Sequence, residues 1–125
     1  MTIDAKDALC EQIANAVTSH GLWKARLKEA IETGRSEWSP AFVAPCNNCE
    51  FGKWLEVLPD DQKTEYYRFM FDTHAKFHAE ASAILRLALD GEKQAAQERI
   101  APGSEYANLT TQLIMGAGMW MTNAD

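Results

Sequence analysis

Apolar residues recur at steps of three and four positions along most of the chain, which is the spacing of an amphipathic helix. The first such stretch runs from about Asp4 to Glu32 and predicts one long helix. Its apolar stripe contains Leu9, Ile13, Ala16, Val17, His20, Trp23, Leu27, Ala30 and Ile31. Gly34 follows and predicts the C-terminal cap, because glycine adopts the left-handed conformation at little cost. Since His20 lies within the stripe, the pattern turns its side chain toward the core.

Three further helical segments follow a connector, Arg35 to Asn48, which contains two prolines and shows no sustained period. A short helix is predicted from Phe51 to Leu58. A long helix is predicted from Asp60, a favourable N-cap residue, to Leu89. The last segment, Glu92 to Thr122, is predicted to be helical with a break at 101–103, where alanine, proline and glycine follow one another.

Strand signals are nearly absent, so the elements predict an all-α fold. The architecture that fits them is an antiparallel four-helix bundle with a short extra helix in the long connection after helix one. The chain has 125 residues, of which 46% are hydrophobic and 24% are charged. This length and composition predict a single folded domain over residues 1–125, with a core that needs no disulfides.

Charge and cysteine content limit which binding partners and which cellular compartment we expect. A formal charge of −6 provides no basic footprint for nucleic acid or for an anionic membrane surface. No stretch approaches the roughly 20 apolar residues of a membrane span, and the N-terminus lacks the apolar region of a signal peptide. The three cysteines, an odd number, are typical of a reducing compartment. We therefore expect a cytoplasmic protein with no nucleic-acid and no membrane partner.

The candidate chemistry lies in the three histidines and one cysteine. His74 and His78 are four positions apart on a predicted helix, so both imidazoles project from one face. Cys49 begins the short helix, and His20 lies on the core side of the first helix. Thiolate and imidazole are the ligands that zinc prefers in tetrahedral sites, and a bundle core can assemble them from facing helices. Together the four would form a closed zinc site of one cysteine and three histidines, without an open position.

Each of these residues alone has an ordinary structural interpretation. A single histidine in an apolar stripe is usually a hydrogen-bonded core residue, two histidines four apart often lie at the surface, and a cysteine is often a small buried apolar group. The metal hypothesis is favoured because one site accounts for every histidine in the chain. Acceptors should then orient the imidazoles, and the candidates are Asp72, Glu80 and Glu50.

Three sequence blocks carry a family resemblance. HGLW at 20–23, CEFGKWL at 49–55 and HAKFH at 74–78 resemble, in this order, the signature of the chemoreceptor zinc-binding (CZB) domain family. The resemblance implies a helical bundle that holds zinc through His20, Cys49, His74 and His78. It also implies sensing of zinc or of oxidants such as hypochlorous acid, and a homodimer.

Two features depart from the family pattern. Domains of this family usually regulate an attached module, such as a chemoreceptor signalling helix pair or a diguanylate cyclase. Because nothing follows Asp125 here, we expect either a stand-alone sensor or an excised domain, with such a signalling protein as partner. Cys46 lies outside the signature, and its CxxC spacing permits a disulfide with Cys49 once Cys49 leaves the metal. Cys10 is predicted to be a buried helix residue with no assigned role.

The residue inventory argues against an enzyme. Zinc proteases place glutamate directly after the first histidine of an HxxxH pair, and here that residue is Ala75. Hemerythrin-like di-iron bundles need more than three histidines, and no Gly-rich phosphate loop or serine elbow is present. The predicted function is a chemotaxis-type signal-transduction domain that senses zinc or oxidants through the Cys49 thiolate. The alternatives are a zinc-stapled dimerisation or interaction module, and a metal-free CxxC redox protein, which the helical context disfavours.

Overall fold

The computed structural model describes residues 3–123, with side chains from residue 8 onward, and this part of the chain forms helices and turns without a strand. The predicted all-α class is confirmed. The helices are α1 (Ile3–Thr33), α2 (Pro40–Val43), α3 (Glu50–Glu56), α4 (Glu65–Leu89), α5 (Lys93–Ile100) and α6 (Glu105–Thr122). Two single 3₁₀ turns, Cys46–Asn48 and Asp60–Gln62, precede α3 and α4.

Most helix ends follow from local chemistry. Gly34 has a φ of 72° after α1, as predicted for a C-terminal glycine. The predicted break at 101–103 separates α5 from α6, and the Ser104 hydroxyl caps α6 by accepting the Ala107 N–H at 3.2 Å.

The predicted start of the long helix that corresponds to α4 is wrong. Asp60 enters a 3₁₀ turn after Pro59, and its carboxylate pairs with Lys63 at 3.3 Å instead of capping a helix. Thr64 is the N-cap of α4, because its hydroxyl accepts the Tyr67 N–H at 3.4 Å.

Four helices form the main body, since α1, α4, α5 and α6 each contact the other three. The Phe77 ring of α4 lies 5.3 Å from that of Tyr106 near the start of α6, whereas Tyr67 lies 6.1 Å from Trp120 near its end. Helices α4 and α6 therefore run in opposite directions, which is compatible with the predicted antiparallel bundle. No helix among residues 3–123 is long and apolar enough to cross a membrane.

The connector and α3 pack against this body and bring Cys49 toward α1 and α4. Helix α2 lies on α4, where the Ser82 hydroxyl donates to the Pro40 carbonyl at 2.8 Å. The Tyr67 hydroxyl of α4 donates to the Leu55 carbonyl of α3 at 3.1 Å. The connector shows no sustained period in the sequence, and Ser39 and Pro40 start a helical turn there, with Ser39 as N-cap and proline in the first position.

Candidate metal centre

All four predicted ligands meet at one point in the described chain. His20 comes from the middle of α1, Cys49 is the N-cap of α3, and His74 and His78 lie one turn apart on α4. The three histidines are buried, with exposed fractions of 7%, 0% and 4% for His20, His74 and His78, and Cys49 is half-buried.

The Nε2 atoms of the three imidazoles form a small triangle. The His20–His78 distance is 3.2 Å, and His74 lies 3.0 Å from each of the other two. The Cys49 sulfur caps this triangle at 3.3 Å from His74, 3.5 Å from His78 and 3.9 Å from His20.

These separations are those of a tetrahedral metal shell. Zinc bonds of about 2.0–2.1 Å to nitrogen and about 2.3 Å to sulfur would separate nitrogen from nitrogen by about 3.3 Å and nitrogen from sulfur by about 3.6 Å. Every measured edge lies within about 0.4 Å of these values. The cluster could therefore hold one metal ion, and its nitrogen and sulfur donors are of the kind that zinc accepts.

The hydrogen bonds of the imidazoles fix where their lone pairs point. His20 Nδ1–H donates to the Ala16 carbonyl at 2.7 Å, and His78 Nδ1–H donates to the Val43 carbonyl at 2.9 Å. A neutral imidazole has one N–H and one lone pair, so both Nε2 atoms present lone pairs to the centre. Two lone pairs 3.2 Å apart repel each other unless a cation lies between them. The residues therefore fit a metal ion on their own chemistry.

Burial keeps the imidazoles neutral and able to coordinate. It lowers the pKa of His20 to about 4, although the hydrogen bond to Ala16 opposes this. Burial, together with the neighbouring His20 and His78, lowers the pKa of His74 to about 2. The pKa of His78 is also lowered by burial, against the effect of the Val43 carbonyl. All three rings present lone pairs at neutral pH.

The thiol of Cys49 responds to burial in the opposite sense. Burial raises its pKa, and the Gly52 N–H, which lies 3.4 Å from the sulfur, opposes the rise. Without a cation this side chain is a thiol at neutral pH. A bound metal would displace its proton, as coordinating thiols are deprotonated.

Backbone carbonyls orient two of the rings instead of the carboxylates considered from the sequence. Glu80 pairs with Arg99 at 2.8 and 3.1 Å, and no imidazole hydrogen-bonds to Asp72, Glu50 or Glu80. The Ala16 carbonyl could have been foreseen, because it lies one turn before His20. The Val43 carbonyl could not, because its position depends on the path of the connector. His74 Nδ1 is buried and has no hydrogen-bond partner among the described residues.

Aromatic side chains pack around the four cluster residues. Phe51 packs edge-on against His74 at 5.1 Å and against His20 at 6.1 Å. Trp54 stacks on Phe51 at 5.7 Å and reaches Trp120 of α6 at 5.8 Å.

The other two cysteines lie outside the cluster. Cys46, in the 3₁₀ turn before α3, is half-buried, and its carbonyl oxygen lies 3.5 Å from the Cys49 sulfur. Cys10 is half-buried on α1, where the sequence predicted a buried residue. All three cysteines are free thiols.

The fold is helical, and its cluster of one thiol and three imidazoles is a compact site that could hold a metal ion. The chain matches the model of the chemoreceptor zinc-binding domain over residues 20–85, which include all four cluster residues. Because this match covers more than half of the chain, the protein belongs to that family, and the resemblance seen in its sequence is confirmed. Neither a curated protein nor a solved structure matches the chain.

Proposed function

We propose that this domain is a regulatory sensor that binds one zinc ion through His20, Cys49, His74 and His78 and responds to zinc or to an oxidant at Cys49. The observation that carries the proposal is the tetrahedral set of donor atoms, with the lone pairs of His20 and His78 directed at its centre. Membership of the zinc-binding family supports it. The donor set would close around the metal and leave no position for a substrate, so we infer a binding role and not metal catalysis.

Each side chain has a defined part in this proposal. His20 and His78 are held by carbonyls, so their rings stay aimed when the site is filled. Bound zinc would supply the positive charge that keeps Cys49 as a thiolate. The thiolate sulfur attacks the chlorine of hypochlorous acid and hydroxide leaves; water then replaces chloride on the sulfur, giving a sulfenic acid. The oxidised sulfur donates less well, and the short helix α3 is released from the centre.

Zinc content is the direct test. Untagged protein purified without chelator should contain about one zinc per chain, because a closed site of four donors binds zinc tightly. Stoichiometric hypochlorite should release it, as measured by elemental analysis after desalting. Protein without metal would refute the zinc site, and zinc that stays bound after Cys49 is oxidised would refute the oxidant sensor.

Two cysteine variants test the ligand assignment. Cys49→Ala should lower zinc affinity at least about 100-fold, because one of four donors is lost. Cys46→Ala is the matched control, three residues earlier, and should keep the affinity of the parent. Competition with a chromophoric chelator measures both, and an equal loss in the two variants would contradict the assignment.

A structural zinc staple is the second candidate function. It is favoured by the complete burial of His74, at 0% exposure, and by the closed shell, which is typical of structural zinc sites. A staple would keep its zinc at physiological free zinc concentrations and would not respond selectively to hypochlorite. The oxidant experiment therefore separates the two candidates.

The partner that we propose is a second copy of the chain, with a chemoreceptor or diguanylate cyclase as the regulated module. The family description names chemoreceptors, which supports a signalling context. An uncharged surface on α6 supports the homodimer. Residues 106–123 contain no charged side chain, yet Ile114, Met115 and Met119 are more than half exposed. Such a surface lets two copies of a chain with a charge of −6 meet without repulsion.

A further inference from the structure

The four donors differ in their access to solvent. His74 is fully buried and His20 and His78 nearly so, whereas Cys49 is half-buried. A groove of about 310 Å³ opens beside the centre, and its lining includes Cys49, His20 and His78 but not His74. The sulfur is therefore the donor that a molecule entering this groove meets most readily.

A second cavity beside the centre, among the described residues, does not reach Cys49. It has a volume of about 30 Å³, is lined mainly by apolar side chains of α1, α4 and α6, and touches His20 but not Cys49. A single water needs roughly 10–15 Å³, so this cavity holds at most two or three small molecules of that size. It lies on the flank of α1 that faces α6, whereas the groove lies on the flank that faces the connector.

Side chains of α1 and the connector form the walls of the groove. Asn15 and Ser19 are exposed polar residues of α1, one turn apart, and both line it. Near its end the Arg26 guanidinium lies 5.0 Å from the Trp23 ring and 4.5 Å from the Trp38 ring. This cation–π stack fastens the connector to α1 and fixes a positive charge at the groove. Glu50 is the second charged residue of the lining.

We infer that this groove is the path by which small electrophiles, oxidants included, reach the Cys49 sulfur, and that Arg26 makes the path favourable for anionic ones. The inference rests on the proposed function, because it assigns residues that control the reaction at that site. Arg26 acts by attracting the reagent into the groove, and Glu50 acts in the opposite sense.

The first test narrows the groove. In a background with Cys10→Ser and Cys46→Ser, iodoacetamide can alkylate only Cys49, whose sulfur displaces iodide and forms a thioether. Ser19→Trp places an indole in the groove and should slow this alkylation about tenfold, since thiol reactivity follows access. Thr18→Trp is the matched control, because Thr18 is exposed on α1 but does not line the groove. Its alkylation rate should stay within about twofold of the parent rate.

The rates are measured by mass spectrometry on proteins with equal zinc content and equal helicity. Slowing by Ser19→Trp alone supports the path, whereas no slowing, or equal slowing by both tryptophans, overturns it. Absence of zinc from the parent protein would refute the proposed function but would not refute the role of the groove. The same alkylation comparison on metal-free protein then still decides whether the groove is the path.

The second test changes charge and keeps size. Iodoacetate and iodoacetamide react by the same displacement of iodide, but only iodoacetate is an anion. Arg26→Gln should lower the iodoacetate-to-iodoacetamide rate ratio about threefold at low ionic strength, with a smaller effect in high salt. Glu50→Gln should raise the ratio, and Arg68→Gln, on α4 and outside the groove lining, should leave it unchanged. If Arg26→Gln leaves the iodoacetate-to-iodoacetamide rate ratio unchanged, the proposal that Arg26 attracts anionic reagents is overturned.

Discussion

At the scale of single residues, the site depends on three histidines that fold in their neutral form. Burial depresses their pKa values, to about 4 for His20 and about 2 for His74, so the folded chain resists their protonation. The unfolded chain has no such constraint, and its histidines titrate near the ordinary value of about 6.5. The histidines that would bind zinc therefore also make the metal-free protein sensitive to acid.

The stability of metal-free protein should fall as the pH is lowered from 7.5 to 5. Below about pH 6.5 the unfolded chain binds more protons than the folded one. The free energy of unfolding therefore has its full value above this pH and falls as the pH is lowered toward the pKa values of the folded state. Each histidine that stays neutral should contribute a loss of about 2 kcal/mol at pH 5. Urea unfolding at the two pH values measures the difference. His20→Phe should show a smaller difference, and a pH-independent midpoint in the parent would contradict the buried neutral rings.

The four cluster residues could be predicted from the sequence because the helical period and the HxxxH spacing determine which side chains share a face. Cys49 could be predicted because it begins the short helix. The tautomer of His78 could not be predicted. It depends on the Val43 carbonyl, which is placed by the fold of the connector, whereas the Ala16 carbonyl that orients His20 lies one turn away on the same helix.

At the scale of elements, α3 is held very close to the 3₁₀ turn that precedes it. The space next to the Gly52 α-carbon is occupied by the Cys46 carbonyl and the Asn47 backbone, so any side chain at position 52 would collide with main-chain atoms. This close approach keeps Cys49, between the turn and α3, aimed at the histidines. The close neighbour of α3 at this point is the preceding turn and not another helix.

Gly52→Ala should therefore destabilise the protein by about 1–3 kcal/mol and weaken zinc binding, because the turn must move and Cys49 moves with it. Gly21→Ala is the matched control. Gly21 is a helical neighbour of His20 with open space next to its α-carbon, so alanine there should stabilise α1 by about 0.5–1 kcal/mol. Thermal unfolding and zinc titration of the two variants check this. Parent-like zinc affinity in Gly52→Ala would refute the role of the tight turn.

The order and class of the elements could be predicted from the periodic pattern, including the break before α6. Two details could not be predicted from this pattern. The N-cap of α4 is Thr64 and not Asp60, because residues 60–62 form a separate 3₁₀ turn in which the Asp60 carboxylate pairs with Lys63. Helix α2 is a single turn, too short to produce a period, and it is held in place by its contact with Ser82 of α4.

At the scale of the whole molecule, charge is unevenly distributed. The uncharged α6 surface adjoins Phe69 of α4, which is 47% exposed and lies against Gly116. In a chain with a formal charge of −6, this uncharged region is the contact that the proposed homodimer would use.

Met115→Lys should weaken homodimerisation at least about tenfold, because two lysines would be brought together and desolvated at a symmetric contact. Val57→Lys is the control, since Val57 is also apolar and exposed, at 76%, but follows α3. Sedimentation equilibrium of the parent and both variants measures the association. A dimer that tolerates Met115→Lys but not Val57→Lys would move the contact away from α6.

The four cluster residues are far apart along the chain, and this bears on when an ion could bind during folding. His20 is separated by 29 residues from Cys49 and by 54 and 58 from His74 and His78, and only the pair on α4 is local. Contacts between residues this far apart close long loops, so the four side chains come together only when α1, α3 and α4 have packed. An ion that needs all four donors would bind only the finished domain. Zinc would thus leave the folding rate nearly unchanged and act by slowing unfolding, which lengthens the lifetime of the folded state.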